Sequence, residues 1–441
     1  MAREQFVTNR LERLAYGGYF MGQNLIYFLV YQFLMLFYTD VVGITAGAVG
    51  TMFLIARIFD AVNDPIMGII VDKTNLEGGK FIPWIKLVIF LMPLTTVILF
   101  IKVGGGGINS LIYAYITYLI WGIIYTISDV PIFALATVMT HNSNERVTLI
   151  SIGRIGAGLG SVIISLFFMT LLSKIAWTGT VLLLATLALL SMLPLRYLGR
   201  ERYVYQQKEV LSLKKIFSFV LNNKYLLIFY GAIIMASLTN TSTVSINYFA
   251  IYNLGNESYI STLTIANMIP MLLVPFVLPP LIKRYGKKKI FIMAFIVAIL
   301  SSLVFYLIGY SNIVWVHLFT TIKGIAQVPT FMIGLFTVDC IEYGTYTTNE
   351  RAEGISFSLQ TFTAKLSAAV AGAISGFVLE RVGYEAGVIQ TPQTLNGIWN
   401  MYVLYPIFGA VIAIIIMWRY YDLTEKQVDD MILFNTKSKN I

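Results

Sequence analysis

Arg57-Ile-Phe-Asp60-Ala-Val-Asn63-Asp64-Pro65-Ile-Met-Gly68 sets charge inside a segment whose flanks, Thr51 to Ala56 and Ile66 to Val71, are almost wholly apolar. The flanks read as one membrane-crossing helix, so its charged centre lies where lipid cannot solvate it. Asp60 and Asp64 are four residues apart and share a helical face, with Arg57 one turn earlier on the same side. Such a residue costs about 3 kcal/mol on insertion scales, so its default reading is functional, facing a partner or a watery cavity. Pro65 has no N–H, which frees the carbonyl of Ala61 four residues back. Two carboxylates, that carbonyl and the Asn63 amide make an oxygen-rich pocket of the kind a small hard cation takes. The plainer alternative is an Arg57–Asp60 pair that only staples two helices, for which a single acid would suffice.

Outward from this segment, composition sets the class. The chain has 441 residues, of which 57% are hydrophobic and 12% charged, and its mean hydropathy is +0.76. This is a polytopic membrane composition. The charged N-terminus, Met1 to Arg13, runs into a long apolar segment without a small-residue cleavage site, so a first transmembrane helix is expected and not a removable signal peptide. A single cysteine, Cys340, excludes an intramolecular disulfide and a cysteine metal cluster, and two scattered histidines, His141 and His317, are too few for a metal site.

About twelve spans of bilayer length follow, near 14–39, 47–71, 81–103, 108–139, 147–173, 176–198, 223–252, 258–282, 289–309, 312–343, 352–382 and 396–421. With both termini cytoplasmic, most Lys and Arg fall in inner loops and tails, while Lys102, Lys174 and Arg381 fall outside. The net charge of +9 is therefore a topology signal, and no nucleic-acid partner is expected. The polar stretch 199–222 reads as a cytoplasmic linker between two six-helix bundles, 1–198 and 223–441. A faint repeat supports the division: Gly68…Asp72-Lys73…Gly79-Lys80 after the second span is echoed by Lys283-Arg284-Tyr-Gly286-Lys287-Lys288-Lys289 after the eighth. Gly104 to Gly107 lacks a following Gly-Lys-Ser/Thr and reads as a flexible outer hairpin. No ATP-binding motif is present, so transport energy is expected from an ion or substrate gradient.

Polar residues recur inside other spans. Gln23, Asn24, Tyr27 and Tyr31 share one face of the first, and amides and phenols suit sugar hydroxyls while aromatic rings stack on sugar faces. Helix packing through small residues with amides as glue explains that span equally well. In the fourth span Thr126 and Asp129 lie three apart beside Pro131, adding a third acid near a proline-broken helix. Arg154 precedes Gly156-x-Gly158-x-Gly160, glycines that suit close helix packing. Lys323 and Lys365 lie within the tenth and eleventh spans, with Gln360 and Thr361 at helical spacing from Lys365. A buried lysine needs a counter-charge. For Lys365, a first-half carboxylate, Asp339 or Glu342 would serve.

Two six-helix halves resemble the major facilitator superfamily. Asp60-Ala-Val-Asn-Asp64-Pro-Ile-Met-Gly68 with Gly79-Lys80-Phe-Ile-Pro83-Trp84, Ile127-Ser-Asp129-Val-Pro131, and Asp339-Cys-Ile-Glu342-Tyr343-Gly344…Glu350-Arg351-Ala-Glu353-Gly354 resemble, within it, the glycoside–pentoside–hexuronide:cation symporter family of the melibiose permease type. The matches span both halves. The resemblance implies an all-α transporter of about twelve transmembrane helices, with a coupling Na⁺ or Li⁺ at Asp60, Asn63, Asp64 and Thr126. It implies substrate contacts at Gln23, Asn24, Tyr125, Asp129, Phe133, Arg154, Gln360, Thr361 and Lys365, to which the polar face of the first span adds Tyr27. Asn24 and Gln23 depart from the carboxylate and lysine of the melibiose permease type, and Phe133 from a tryptophan. These departures put galactoside specificity in question, because an amide both donates and accepts where a carboxylate only accepts.

The expected function is Na⁺-coupled sugar symport across the cell membrane by a monomer, with no cofactor and no enzymatic activity. A carboxylate raised by burial would let H⁺ replace Na⁺. Lys323 with Arg154 and Lys365 would suit an anionic, hexuronide-type sugar, and a lysolipid transporter on the same fold is a further alternative.

Overall fold

The computed structural model describes residues 6–73, 78–140, 142–203, 221–348 and 353–437, whose regular structure is helical. The chain divides into two units, Met1–Lys208 and Glu209–Ile441. The dividing point lies within the polar stretch 199–222, of which residues 204–220 fall outside the described part. Among the described residues ten helices are long and apolar enough to cross a bilayer, and the bent Tyr259–Tyr285 makes an eleventh.

The first unit holds α1 (Arg10–Leu36), α2 (Ala46–Lys73), α3 (Ile82–Leu99), α4 (Ile108–Met139), α5 (Ser143–Leu172) and α6 (Trp177–Leu198). α1 starts on a capping box: the Asn9 side chain accepts the Glu12 N–H at 2.8 Å, and the Glu12 carboxylate accepts the Asn9 N–H at 3.0 Å. Just before it, Val7 and Thr8 donate to the buried Glu145 at the start of α5, which also accepts from Thr140. Burial alone would push the Glu145 carboxyl up, but these hydrogen bonds outweigh it and hold the group below the ordinary carboxylate range.

α1 packs on α5 and α6, α3 on α4 and α6, and α2 on α4. Phe33 stacks on Phe168 with centroids 3.9 Å apart, and Trp177 closes the same aromatic cluster from α6. Glycines set the α1–α5 approach. A methyl group on Gly156 would collide with the carbonyl of Gly17, and one on Gly160 with that of Met21, whereas Gly158 faces open space. Two of the three glycines therefore serve helix packing, as their spacing suggests.

The second unit contains α7 (Lys224–Ala236), α8 (Thr241–Tyr248), α9 (Tyr259–Tyr285), α10 (Lys287–Ile308), α11 (Ile313–Lys323), α12 (Val328–Phe331), α13 (Ile333–Thr348), α14 (Glu353–Arg381), α15 (Pro392–Val403), α16 (Tyr405–Tyr420) and α17 (Glu425–Lys437). Three spans read from the sequence as single helices are broken here. α7 and α8 are joined by a 3₁₀ turn at Ser237–Asn240, α11 and α12 by another at Gly324–Gln327, and α15 gives way to α16 at Leu404. The first break is built from Ser-Leu-Thr-Asn, whose Thr239 hydroxyl bonds back to the Ala236 carbonyl at 2.7 Å. The other two precede Pro329 and Pro406, which cannot donate to a continuing helix.

The weak sequence repeat has a physical counterpart. In the first unit Glu201, just after α6, accepts the N–H groups of Lys80, Phe81 and Ile82 at 2.7–2.9 Å. In the second, Glu425, just after α16, accepts the N–H of Lys287 at 2.7 Å. In each unit a glutamate following the last spanning helix caps the basic loop before another helix. The residues 204–220 and 74–77 that flank these contacts lie outside the described part. Gly104–Gly107 is a pinned turn and not a loose hairpin, because the Ser110 hydroxyl donates to Val103 at 2.7 Å and accepts the Gly106 N–H at 3.2 Å.

Gly156→Ala is expected to cost roughly 1–3 kcal/mol through overpacking and to lower the Tm of the detergent-purified protein by several degrees. Gly158→Ala should leave it within about one degree. Differential scanning fluorimetry of both variants checks the contrast, and equal Tm values would contradict the packing.

Candidate functional site

The charged centre of α2 meets α4 along matching faces. Tyr118, Gly122 and Thr126 recur every fourth residue on α4, opposite Arg57, Asp60 and Asp64 on α2. Arg57 donates to Asp60 Oδ2 at 2.5 Å and to the Tyr118 hydroxyl at 2.9 Å. Asp60 is 5% exposed. Its Oδ1 lies on the Gly122 side, where a methyl group would come within 3.4 Å. One turn on, Thr126 Oγ1 donates to Asp64 Oδ1 at 2.7 Å. The Asn63 amide nitrogen is buried and has no hydrogen-bond partner among the described residues. Ala61 and Pro65, expected to open a carbonyl toward the acids, lie outside the residues whose surroundings are described.

The Arg57–Asp60 pair forms, as the plainer alternative requires, but it holds one oxygen of one acid. Asp64 and Asn63 remain beside it, with Thr126 across the helix contact.

One turn further along α4 the partners come from α1. Gln23 Nε2 donates to Ser128 Oγ at 3.1 Å and to Asp129 Oδ1 at 3.2 Å, and the Tyr19 hydroxyl lies 2.7 Å from Ser128 Oγ. Gln23 and Ser128 are fully buried, while Asp129 is half-buried. Aromatic rings line the space between the two clusters. Tyr27 lies 5.3 Å from Tyr125 and 6.2 Å from Tyr31, and Trp121 stacks between Tyr118 and Tyr125. Trp121 is itself fixed by donating to Thr96 at 3.0 Å. An acid for hydroxyls, an amide that orients it and ring faces alongside are what carbohydrate recognition requires.

The other expected residues divide. Asn24 spends an amide hydrogen on the Phe20 carbonyl of its own helix at 3.0 Å. Phe133 is 56% exposed and packs edge-on against Phe20. Arg154 is exposed and takes no part in these hydrogen bonds, since Gly153, Gly156 and Gly160 turn the opposite side of α5 onto α1. In the second unit Gln360 lies near Thr337 at 3.3 Å and Lys365 is buried on α14, while the Thr361 side chain lies outside the described residues. Of the acids considered for Lys365, Asp339 pairs with Lys287, and Glu342 accepts from Asn435 of α17 at 3.0 Å. Sequence reasoning passed over Tyr118, Tyr19 and Ser128. Tyr118 could have been found eight residues before Thr126, and Tyr19 one turn before Gln23.

Comparison with known proteins establishes the family. Residues 15–425 match the family described as MFS/sugar transport protein. The uncharacterized symporter YnaJ of Bacillus subtilis is 31% identical, covering 96% of this chain and 94% of its own. The isoprimeverose transporter of Lactiplantibacillus pentosus is also 31% identical, over 93% of this chain and 88% of its own, and the glucuronide carrier protein homolog of Escherichia coli is 27% identical over 94% of each. The crystal structure of the nucleoside transporter NupG shares the fold, with a TM-score of 0.64 at 16% identity over 93% of this chain and all of its own. The chain belongs to the MFS/sugar transport protein family: it is an all-α polytopic membrane transporter of the symporter type and not an enzyme.

Proposed function

We propose that this protein couples a monovalent cation, Na⁺ foremost, to the uptake of a glycoside or related sugar by alternating access. The observation that carries the reading is the Thr126–Asp64 hydrogen bond across the α2–α4 contact, beside Asp60 and the orphaned Asn63 amide. A buried amide without a partner is a cost that a ligand would remove, and turning it presents its oxygen instead of its nitrogen. Arg57 offsets one of the two carboxylates, so Arg57, Asp60 and Asp64 together carry one excess negative charge, which a single monovalent cation balances. Binding there leaves the Gln23–Asp129 pair one turn away to accept sugar hydroxyls, with Tyr27 and Tyr125 as ring faces. Each ligand then raises the other's affinity by the same factor. An empty, negatively charged site would resist closing, which limits leak.

Names borne by the relatives support a sugar. An anionic sugar is the second reading, favoured by the relative named a glucuronide carrier homolog; H⁺ would then replace Na⁺ at Asp64. The proposed setting is the cell membrane, with both termini cytoplasmic and the protein monomeric.

Asp64→Cys and Thr126→Val should each reduce Na⁺-stimulated sugar accumulation in proteoliposomes, the first to background and the second about tenfold, as expected for a charge-assisted hydrogen bond of about 1.5 kcal/mol. Undiminished stimulation in Asp64→Cys would remove Asp64 from the scheme. An inward pH gradient that drives uptake without Na⁺ would favour H⁺.

Asp129→Asn should weaken sugar binding at least tenfold while leaving the Na⁺ concentration for half-stabilisation within about twofold. Isothermal titration with a panel of glycosides, pentosides and glucuronides, each at fixed Na⁺, measures both. Parallel loss of the two affinities would contradict separate sites.

A further inference from the structure

The second unit buries a lysine that the transport reading does not use. Lys323 ends α11, lies within the membrane span Ile313–Thr348 and is only 6% exposed. Among the described residues its ammonium has no carboxylate within 4.0 Å. Its one oxygen partner is the Tyr402 carbonyl at 2.5 Å, and it sits 3.9 Å above the Tyr402 ring. That carbonyl is open because Pro406, four residues on, brings no N–H to it. Ser242 donates to the same oxygen at 2.6 Å.

The three helix breaks of this unit meet at one cavity. Thr239 and Ser242 come from the first break and Lys323 and Gln327 from the second, with Asn267 of α9 and Ser302 of α10 completing the polar wall. Pro406 of the third break also faces it. The cavity measures about 20 Å³, room for one guest of water size or slightly more. The Thr239 and Ser242 hydroxyl hydrogens are spent on Ala236 and Tyr402, and one Gln327 amide hydrogen on Asn240. Ser302 and Asn267 have no hydrogen-bond partner among the described residues. The open groups are therefore an ammonium, a hydroxyl and an amide, each able to donate, beside the Gln327 amide oxygen, which only accepts.

Burying a cation without an opposing charge is costly, and one neutral carbonyl with a ring face offsets only part of it. We infer that this cavity is a site for a small monovalent anion of halide size, held by Lys323, Ser302 and Asn267 at the meeting of the three broken helices. Discontinuous helices commonly build ion sites in transporters, since their ends expose backbone dipoles at membrane depth. The anion would neutralise Lys323 and tie α9, α10 and α11 together.

The test is thermal stability of the purified full chain at constant Na⁺ and ionic strength, with sodium HEPES replaced stepwise by NaCl or NaBr. The HEPES sulfonate is too bulky for the cavity. Chloride should raise the Tm saturably by roughly 3–5 °C. Lys323→Met should abolish this response, and Ser302→Ala should shift its midpoint to at least about fivefold higher chloride. Sodium glucuronate is the second arm: like HEPES it is too bulky for the cavity, so stabilisation by halide and not through Lys323 by glucuronate supports a free small ion, whereas a glucuronate shift without a halide shift that Lys323→Met abolishes would overturn the halide assignment. A wild-type Tm that is identical in HEPES, halide and glucuronate would overturn the inference, as would an undiminished shift in Lys323→Met. Should Lys323→Met fail to fold, an unchanged chloride midpoint in Ser302→Ala overturns it instead.

Discussion

A charge enclosed by lipid must be answered by a group within reach of its own side chain, because no water comes to it. That constraint fixes where α2 and α4 touch. Arg57 is held between the Asp60 carboxylate and the Tyr118 phenol, and Asp64 receives the Thr126 hydroxyl, so the register of the two helices follows from two polar contacts about two turns apart. Gly122 lies between them with no side chain, which leaves Asp60 Oδ1 its space. Large side chains at that position would push the helices apart, taking the Thr126 hydroxyl from Asp64 and the Tyr118 phenol from Arg57.

The backbone obeys the same constraint as the side chains. A helix that breaks in the membrane exposes carbonyls and N–H groups that must be satisfied locally. The first unit keeps its spanning helices continuous and concentrates polarity in side chains. The second breaks three spans and satisfies the ends with short side chains and one long one: Thr239 on Ala236, Thr241 on Leu238, and Ser242 with Lys323 on Tyr402. The lysine is thus partly a backbone cap, which explains how a cation lies there without an acid beside it among the described residues.

Patterns of one helix were legible in the sequence, and patterns between helices mostly were not. The i, i+4 spacing of Asp60 and Asp64, the apolar flanks and the glycines before α5's packing face are properties of single helices, and the structure bears out the helices they imply. The breaks at Ser237–Asn240 and Gly324–Gln327 were missed because hydropathy averages over a break of four residues, and because Ser and Thr read equally as helix-compatible and as turn-forming. Arg154 illustrates the opposite limit. The resemblance alone sets it among the substrate contacts; the rotation of α5, fixed by Gly156 and Gly160 fitting against α1, puts Arg154 on an exposed side of the helix, which spacing within one helix does not predict. Partner identity across helices, such as Gln23 on Asp129 or Glu201 on the loop before α3, requires knowing which helices are neighbours.

The two units repeat their scaffold and not their chemistry. Glu201 and Glu425 cap equivalent basic loops, and each unit follows its second spanning segment with a turn that needs these backbone N–H groups satisfied. Capping of this kind is indifferent to what lies inside the bundle, so it can persist while interior residues diverge. The interior residues differ: carboxylates with an arginine lie at the α2–α4 contact in one unit, and Lys323 with hydroxyls and amides lines the cavity at the broken helices in the other. An excess of carboxylates favours a cation and an excess of N–H and O–H donors favours an anion, by the same electrostatics with the sign reversed. The opposite ion preferences proposed for the two units therefore need no difference in fold, only a different choice of side chains at interior positions.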